Sequence, residues 1–231
     1  MKNLEYNKMA YLYDKFYVNK NYIKEVEFIK AFIHNSDCKI LDAGCGTGNH
    51  SKILSDSGYN VAGFDLSIDM VKIANTKIPN KFFVDDLLTI SSEDKYDVII
   101  SFFAVFNHLK NYKEFRKALR NLKQLLNNNG TIIIDMHNPK KSGNKAEKID
   151  NATRIMSWKV CGLLKKEYTK ITYIVGDKKY ITRHKFTIFD TNRLEKIARD
   201  LGFEKVSFCE NYNVNKKANK NSKNIQMVVT I

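Results

Sequence analysis

Three alternate glycines, Gly44, Gly46 and Gly48, set directly behind a short apolar run, constrain this chain more than any other feature in it. The stretch reads K-I-L-D-A-G-C-G-T-G-N-H from Lys39 to His50, with apolar Ile40 and Leu41, an acid at Asp42, and a helix-compatible segment opening at Asn49. That order predicts a strand, a tight turn and a helix N-terminus. Without Cβ atoms the backbone can take positive φ and a ligand can lie against it, while the following helix points free N–H groups at that ligand.

The rest of the chain supports a sheet around this turn. Strand signals at Cys38–Leu41, Asn60–Phe64, Lys81–Val84, Tyr96–Ser101 and Thr131–Ile134 alternate with helix signals at Thr47–Ser57, Ser67–Thr76 and Tyr112–Leu126. Runs such as VAGF, DVII and TIII are apolar on both faces, as expected of parallel strands covered by helices on each side. The predicted fold is α/β, a doubly wound and mostly parallel sheet. Two helices, about Tyr6–Tyr17 and Tyr22–Ile33, precede it. After Asp135 comes a polar stretch, HNPKKSGNKAEKIDN, expected as a loop or lid, then three β-favouring segments at Thr153–Val160, Lys165–Val175 and Tyr180–Phe189, with Gly-Asp between Val175 and Lys178 as a hairpin turn. This block reads as an antiparallel insertion after the fifth strand. A helix at Thr191–Leu201 closed by Gly202, a strand at Phe203–Glu210, a Lys/Asn loop and a last strand at Ile225–Ile231 complete the chain. The expected division is 1–36 as N-terminal helices, 37–137 with 190–231 as the core, and 138–189 as the insertion.

Composition narrows the class. Over 231 residues the formal net charge is +14, but the excess is lysine scattered among asparagines, with no arginine-rich block, so residue-usage bias with a mild preference for anionic small molecules is the reading. Cys38, Cys45, Cys161 and Cys209 are far apart and form no CxxC pair, which suggests neither a metal site nor a disulfide framework and fits a cytoplasmic protein. The N-terminus has no apolar core of a signal peptide, and no apolar run approaches the roughly 20 residues that span a bilayer.

A glycine turn of this sort serves either a dinucleotide, usually with G-x-G-x-x-G spacing, or S-adenosylmethionine (SAM). The spacing here is G-x-G-x-G after an acid, which favours SAM. About 20 residues on, VAGFDLSIDM places Asp65 at a strand's carboxyl edge, where a carboxylate can accept both ribose hydroxyls. Asp85-Asp86 follows the third strand, where Asp86 can take the adenine amino group. Together, ILDAGCGTGNH, VAGFDLSIDM, FVDDLL and YDVIISFFAVFNHL resemble the class I SAM-dependent methyltransferases, whose core is a seven-stranded Rossmann-like sheet. The resemblance implies that Gly44, Gly46 and the neighbourhood of Asp42 and Ala43 pack on the methionine part of SAM. It further implies a ribose contact at Asp65, Met70 on the adenine face and Asp86 on the adenine amino group, with Leu66, Leu87 and Phe103 also among the cofactor-binding residues.

A narrower similarity, carried by Ala10–Tyr17, by F-F-A-V-F-N-H-L and by R-H-K-F-T-I-F-D, is to nucleotide-linked amino-sugar N-methyltransferases and the related glycine-type enzymes. It implies a small-molecule amine as acceptor, with His108 approaching the amine. The chain departs from that pattern after the fifth strand, where it has D-M-H-N-P. Because SAM carries an already activated methyl group, the protein must align donor and nucleophile, exclude water and keep the amine neutral, so His108 and Tyr13 are candidate catalytic residues. The plainer alternatives are a packed core histidine at 108 and an aromatic staple at Tyr13 and Tyr17. Tyr17, His137, Asn138 and Arg183 are candidate acceptor-binding residues; His137 and Asn138 can equally be loop filler, and of Arg183 and His184 one should face the pocket and the other solvent. Asp42 also serves to cap the turn. An RNA methyltransferase and a non-catalytic SAM- or dinucleotide-binding regulator are the alternative functions. Where enzymes that methylate exocyclic base amines usually carry N-P-P-Y, the chain has F-F-A-V. A monomer and a homodimer are equally compatible with the sequence.

Overall fold

The protein is described by a computed structural model covering residues 10–231, so the Tyr6–Met9 part of the first expected helix lies outside the described residues. Helices α1 (Ala10–Tyr17) and α2 (Tyr22–Lys30) precede β1 (Lys39–Ala43), α3 (Asn49–Asp56), β2 (Asn60–Asp65), α4 (Ile68–Lys77), β3 (Phe82–Val84) and β4 (Tyr96–Ser101). A 3-10 turn at Val105–His108 leads into α5 (Tyr112–Gln124) and β5 (Leu126–His137). Then come β6 (Gly143–Ile149), β7 (Ala152–Cys161), β8 (Lys166–Val175) and β9 (Lys178–Thr187), followed by α6 (Thr191–Asp200), β10 (Lys205–Glu210), β11 (Asn213–Lys217) and β12 (Asn224–Thr230).

Strands β1 to β5 pair in parallel, β10 to β12 add antiparallel strands, and the order is β11-β10-β12-β5-β4-β1-β2-β3. Parity within the strands explains why helices cover both faces. Leu41, Ile99, Ile132 and Ile134 pack with Phe115, Leu119 and Leu122 of α5 and Leu194 of α6. Their chain neighbours Ile40, Val98, Ile100 and Ile133 pack with Val26 and Ile29 of α2 and Leu54 of α3. Each such buried side chain contributes about 1.5–3 kcal/mol of transfer free energy. Helix starts follow from local chemistry: Asn21, Ser67, Asn111 and Asp190 accept the backbone N–H of Lys24, Met70, Glu114 and Arg193. Gly202, at φ +77, turns the chain out of α6.

Strand β1 has β2 on one side and β4 on the other, both parallel to it. The strand order reverses there, and the crevice at the carboxyl ends of β1 and β4 is where such sheets take ligands.

The outer parts of the fold differ from the sequence reading. The main sheet has eight strands, because β11 forms an exposed edge within residues expected as a Lys/Asn loop. The second sheet, β6-β7-β8-β9, has four strands rather than three. Its β6 lies in the expected polar loop: it is an edge strand with no buried residue, so no apolar alternation marks it. Gly143 pairs with Trp158, and a Cβ there would sit 2.6 Å from the indole, so the glycine admits the ring. Val175 and Lys178 pair across Gly176-Asp177, the two-residue hairpin turn expected at that place. Leu12 and Phe16 of α1 pack against Ala152 and Tyr173, seating the first helix on this sheet.

Candidate active site

The floor of the site is backbone. Gly44, Gly46 and Gly48 have φ of +81, +54 and +77, and the N–H groups of Gly44 and Cys45 donate to the Phe64 carbonyl at 2.8 and 2.9 Å. A Cβ on Gly44 would come within 2.7 Å of both Val105 methyls, so the glycine lets the turn after β4 close against the loop. Asp65 ends β2; its Oδ2 accepts Gly46 N–H and its Oδ1 accepts Ser67 N–H, each at 2.9 Å. Burial pushes its carboxyl pKa up, against the pull of those backbone donors. Asp42, almost fully buried, accepts Ser51 Oγ at 2.7 Å, and burial raises its pKa as well. After β3, Asp86 Oδ1 accepts Leu88 N–H at 2.9 Å.

Above this floor lies a cavity of about 1210 Å³ that extends to the second sheet. Phe103 and Ala104 border it with φ of +67 and +60, a left-handed pair that costs about 1–2 kcal/mol per residue without glycine. Asp135 holds the pair by accepting Phe103 N–H at 3.1 Å. Asn107 is almost fully buried; it accepts His137 N–H at 2.9 Å and donates to the His137 and Thr187 carbonyls at 3.0 and 2.8 Å. The turn therefore presents Phe103 to Tyr17 and Tyr13, with ring centroids 4.8 and 5.9 Å away, and leaves His108 exposed, 4.6 Å from the ring of Phe186. The far wall is side chain. Glu167, Thr169, Ile171 and Tyr173 of β8 face inward at every second position, as do Thr182, His184 and Phe186 of β9.

The cavity brings together Tyr13, Tyr17, Asp42, Gly44, Gly46, Asp65, Leu66 and Met70. Asp86, Leu87, Phe103, His108 and His137 line it too. Three candidates fall outside it. Ala43 is fully buried beneath the loop, its carbonyl accepting Ser101 Oγ at 2.8 Å. Asn138 clasps the chain near β12, with N–H to the Lys223 carbonyl at 2.7 Å and Nδ2 to that of Ser222 at 2.8 Å. Arg183 has the opposite parity to His184, is exposed, and borders a small hollow on the outer face with Tyr168 and Lys170. Of the two alternating positions, His184 is the one that faces the cavity.

Several polar residues at the site carried no role in the sequence reading. Glu25 of α2, 5% exposed, meets Lys20 and, at 2.6 Å, His50 Nε2 at the start of α3. Burial raises the Glu25 pKa, but its contacts with His50 and with the Lys20 ammonium outweigh it and hold the carboxyl below its ordinary value. Asp14 of α1 accepts Thr47 Oγ1 and Asn49 Nδ2 and pairs with Lys77 Nζ at 2.6 Å, which docks α1 on the glycine loop. Asp135 also accepts Tyr212 OH at 3.1 Å and Gln226 Nε2 at 2.9 Å. The usable signal at Asp135 was an acid inside an apolar run, TIIIDM, whereas Glu25 in YIKEVEFI carried none, since the same segment holds Lys24 and the exposed Glu27. Among the described residues no His, Cys, Asp or Glu cluster could hold a metal ion, and no helix is long and apolar enough to cross a membrane.

Comparison with known proteins gives these features a context. A methyltransferase-domain family matches residues 13–207. An uncharacterized protein of Methanocaldococcus jannaschii is 32% identical over 203 residues, covering 87% of this chain and 75% of the relative. A SAM-dependent methyltransferase from Clostridium acetobutylicum superposes with a TM-score of 0.83 at 21% identity, over 98% of each chain. An amino pentose methyltransferase from Micromonospora echinaspora, solved with SAM bound, superposes at 0.76 and 18% identity over 95% of this chain and 96% of its own. With a match over most of its length, and with the parallel sheet and glycine-lined crevice already in place, the chain belongs to the methyltransferase-domain family and is a class I SAM-dependent methyltransferase.

Proposed function

We propose that the protein methylates an amine on a small anionic acceptor, with a nucleotide-linked amino sugar as the best specific case, and that SAM lies along the glycine floor. In this reading Gly44 and Gly46 receive the methionine part, Asp65 takes the ribose hydroxyls with lone pairs its backbone donors leave open, and Asp86 takes the adenine amino group. Leu66, Met70 and Leu87 supply apolar contact around the base, and Phe103 borders the sulfonium end. SAM supplies an electrophilic methyl group, so the chain's own work is to orient the amine, exclude water and leave its nitrogen lone pair free.

The observation that carries the amine reading is the shared cavity: His108, His137 and His184 all line the same space as the glycine loop. Tyr13 and His108 can accept or donate at the amine, and Tyr17 closes the N-terminal side. Burial raises the Tyr17 pKa and pushes that of Tyr173 up to about 12, so both phenols stay protonated and can donate. Lys110, Lys140, Lys141 and Lys223 also line the cavity, which supports an acceptor bearing phosphate or carboxylate. The residues 138–189 would then be the acceptor-binding unit and residues 10–36 its cover. The solved amino pentose methyltransferase, similar over nearly its whole length, supports the sugar-amine case.

The experiment is methyl transfer from labelled SAM across paired acceptors, each nucleotide-linked amino sugar set beside its hydroxyl counterpart and beside the free amino sugar. Labelling of the amine with preference for the nucleotide-linked form is expected. Transfer to RNA but to none of the amines would overturn the reading.

A further inference from the structure

One polar atom on the cavity wall has no hydrogen-bond partner. Glu167, on β8, is 4% exposed; its Oε1 accepts the Thr169 hydroxyl, whereas its Oε2 has no hydrogen bond. His137 Nε2 lies 3.3 Å from Oε2, close enough for an ion pair but outside hydrogen-bond alignment. The cross-strand neighbours of Glu167 are Val160 and Phe186, both apolar, so neither adjacent strand offers it a donor. Burial by itself raises the Glu167 pKa, but His137 and the Thr169 hydroxyl outweigh it, and the carboxyl is held below its ordinary value. A buried carboxylate oxygen left without a donor is costly, and such an atom in a folded protein calls for an explanation.

The position supplies one. Phe186, directly opposite Glu167, carries the His108 ring against it at 4.6 Å, and Thr169 pairs with His184. Glu167 therefore stands at the end of the cavity where the turn after β4 and the end of β5 meet the second sheet. The His137 side chain is 42% exposed and that of Glu167 5%, so the imidazole faces solvent while the carboxylate faces inward.

Building on the amine reading above, we propose that Glu167 is the group that selects an amine over a hydroxyl: its open Oε2 accepts an N–H of the acceptor, and His137 positions the carboxylate from the solvent side. An amine that enters protonated brings a donor and a positive charge to a buried anion and then passes its extra proton to that carboxylate, which frees the nitrogen lone pair, whereas an alcohol brings a donor alone. Discrimination of this kind rests on the unpaired state left behind when the wrong ligand enters.

The test uses the full-length protein saturated with S-adenosylhomocysteine and two ring-sized probes, cyclohexylamine and cyclohexanol, titrated by NMR. The native protein should bind the amine at least tenfold more tightly than the alcohol, and Glu167→Gln should reduce that preference to twofold or less while S-adenosylhomocysteine affinity is unchanged. His137→Gln should lower the preference by less than Glu167→Gln does, and a variant that keeps the native preference in full removes His137 as the group that positions the carboxylate. If Glu167→Gln keeps the full amine preference, the assignment of Glu167 is wrong and the amine reading survives. If the native protein shows no preference, the amine reading falls and takes the assignment with it. Should Glu167→Gln fail to fold, Glu167→Asp, which withdraws the carboxylate by one methylene, must lower the preference, and an unchanged preference in that variant overturns the proposal.

Discussion

The two sides of the cavity are built on different principles. The floor is made by backbone, with three positive-φ glycines, strand ends in parallel register and acids at those ends. The opposite wall is made by side chains, every second residue of β8 and β9 with rings from α1, on a sheet joined to the core through α1, the turn after β4 and the end of β5. A floor of backbone suits a ligand that never changes, and a wall of side chains can be respecified one residue at a time without disturbing strand pairing.

The largest expected effect breaks the contrast, because it acts on the cover that touches both sides. Glu25→Ala leaves Lys20 and His50 without their buried counter-charge and should cost about 3 kcal/mol of unfolding free energy at neutral pH, measured by urea titration. Because the folded Glu25 pKa lies below its ordinary value of 4.5, its stabilisation is present in full above that value and is lost as pH falls through the folded pKa. The gap between native protein and variant should therefore narrow on acidification. Asp65→Ala should weaken SAM binding by roughly 100-fold in calorimetry, since charge-assisted hydrogen bonds to the ribose go with the tie to Gly46. Unchanged affinity would remove Asp65 from the ribose site. His108→Ala should lower kcat by about tenfold, one orienting hydrogen bond's worth, with SAM affinity intact, and a fully active variant would make that side chain a bystander on the wall. Arg183→Ala should alter turnover less than about twofold, as expected of an outward-facing surface residue.

The same contrast explains what could be read in advance. Gly44, Gly46, Asp65 and Asp86 were legible because turn chemistry and strand ends are local, and the spacing between consecutive strand ends is set by the βαβ unit. The wall depends on parity and register, which one strand's sequence does not fix. Arg183 and His184 were equally plausible until the pairing of Glu167 with Phe186 and of Thr169 with His184 set which face looks inward. Asn138 sits one residue past His137, yet its side chain is committed to Ser222. Strands β6 and β11 escaped notice because an edge strand exposed on both faces carries no apolar alternation. Glu25 and His50 lie 25 positions apart and meet only because α2 packs on α3.

The Asn107 side chain binds the chain at His137, where it leaves β5, and at Thr187, where it ends β9, so the 49 intervening residues form a loop pinched shut at its base. Closing a long loop adds little entropy cost for each further residue. The segment is therefore portable: a donor segment of different length could be grafted between those two anchor points while the glycine floor keeps its register. Asn107 marks the seam along which a lineage could exchange acceptors and keep one methyl donor.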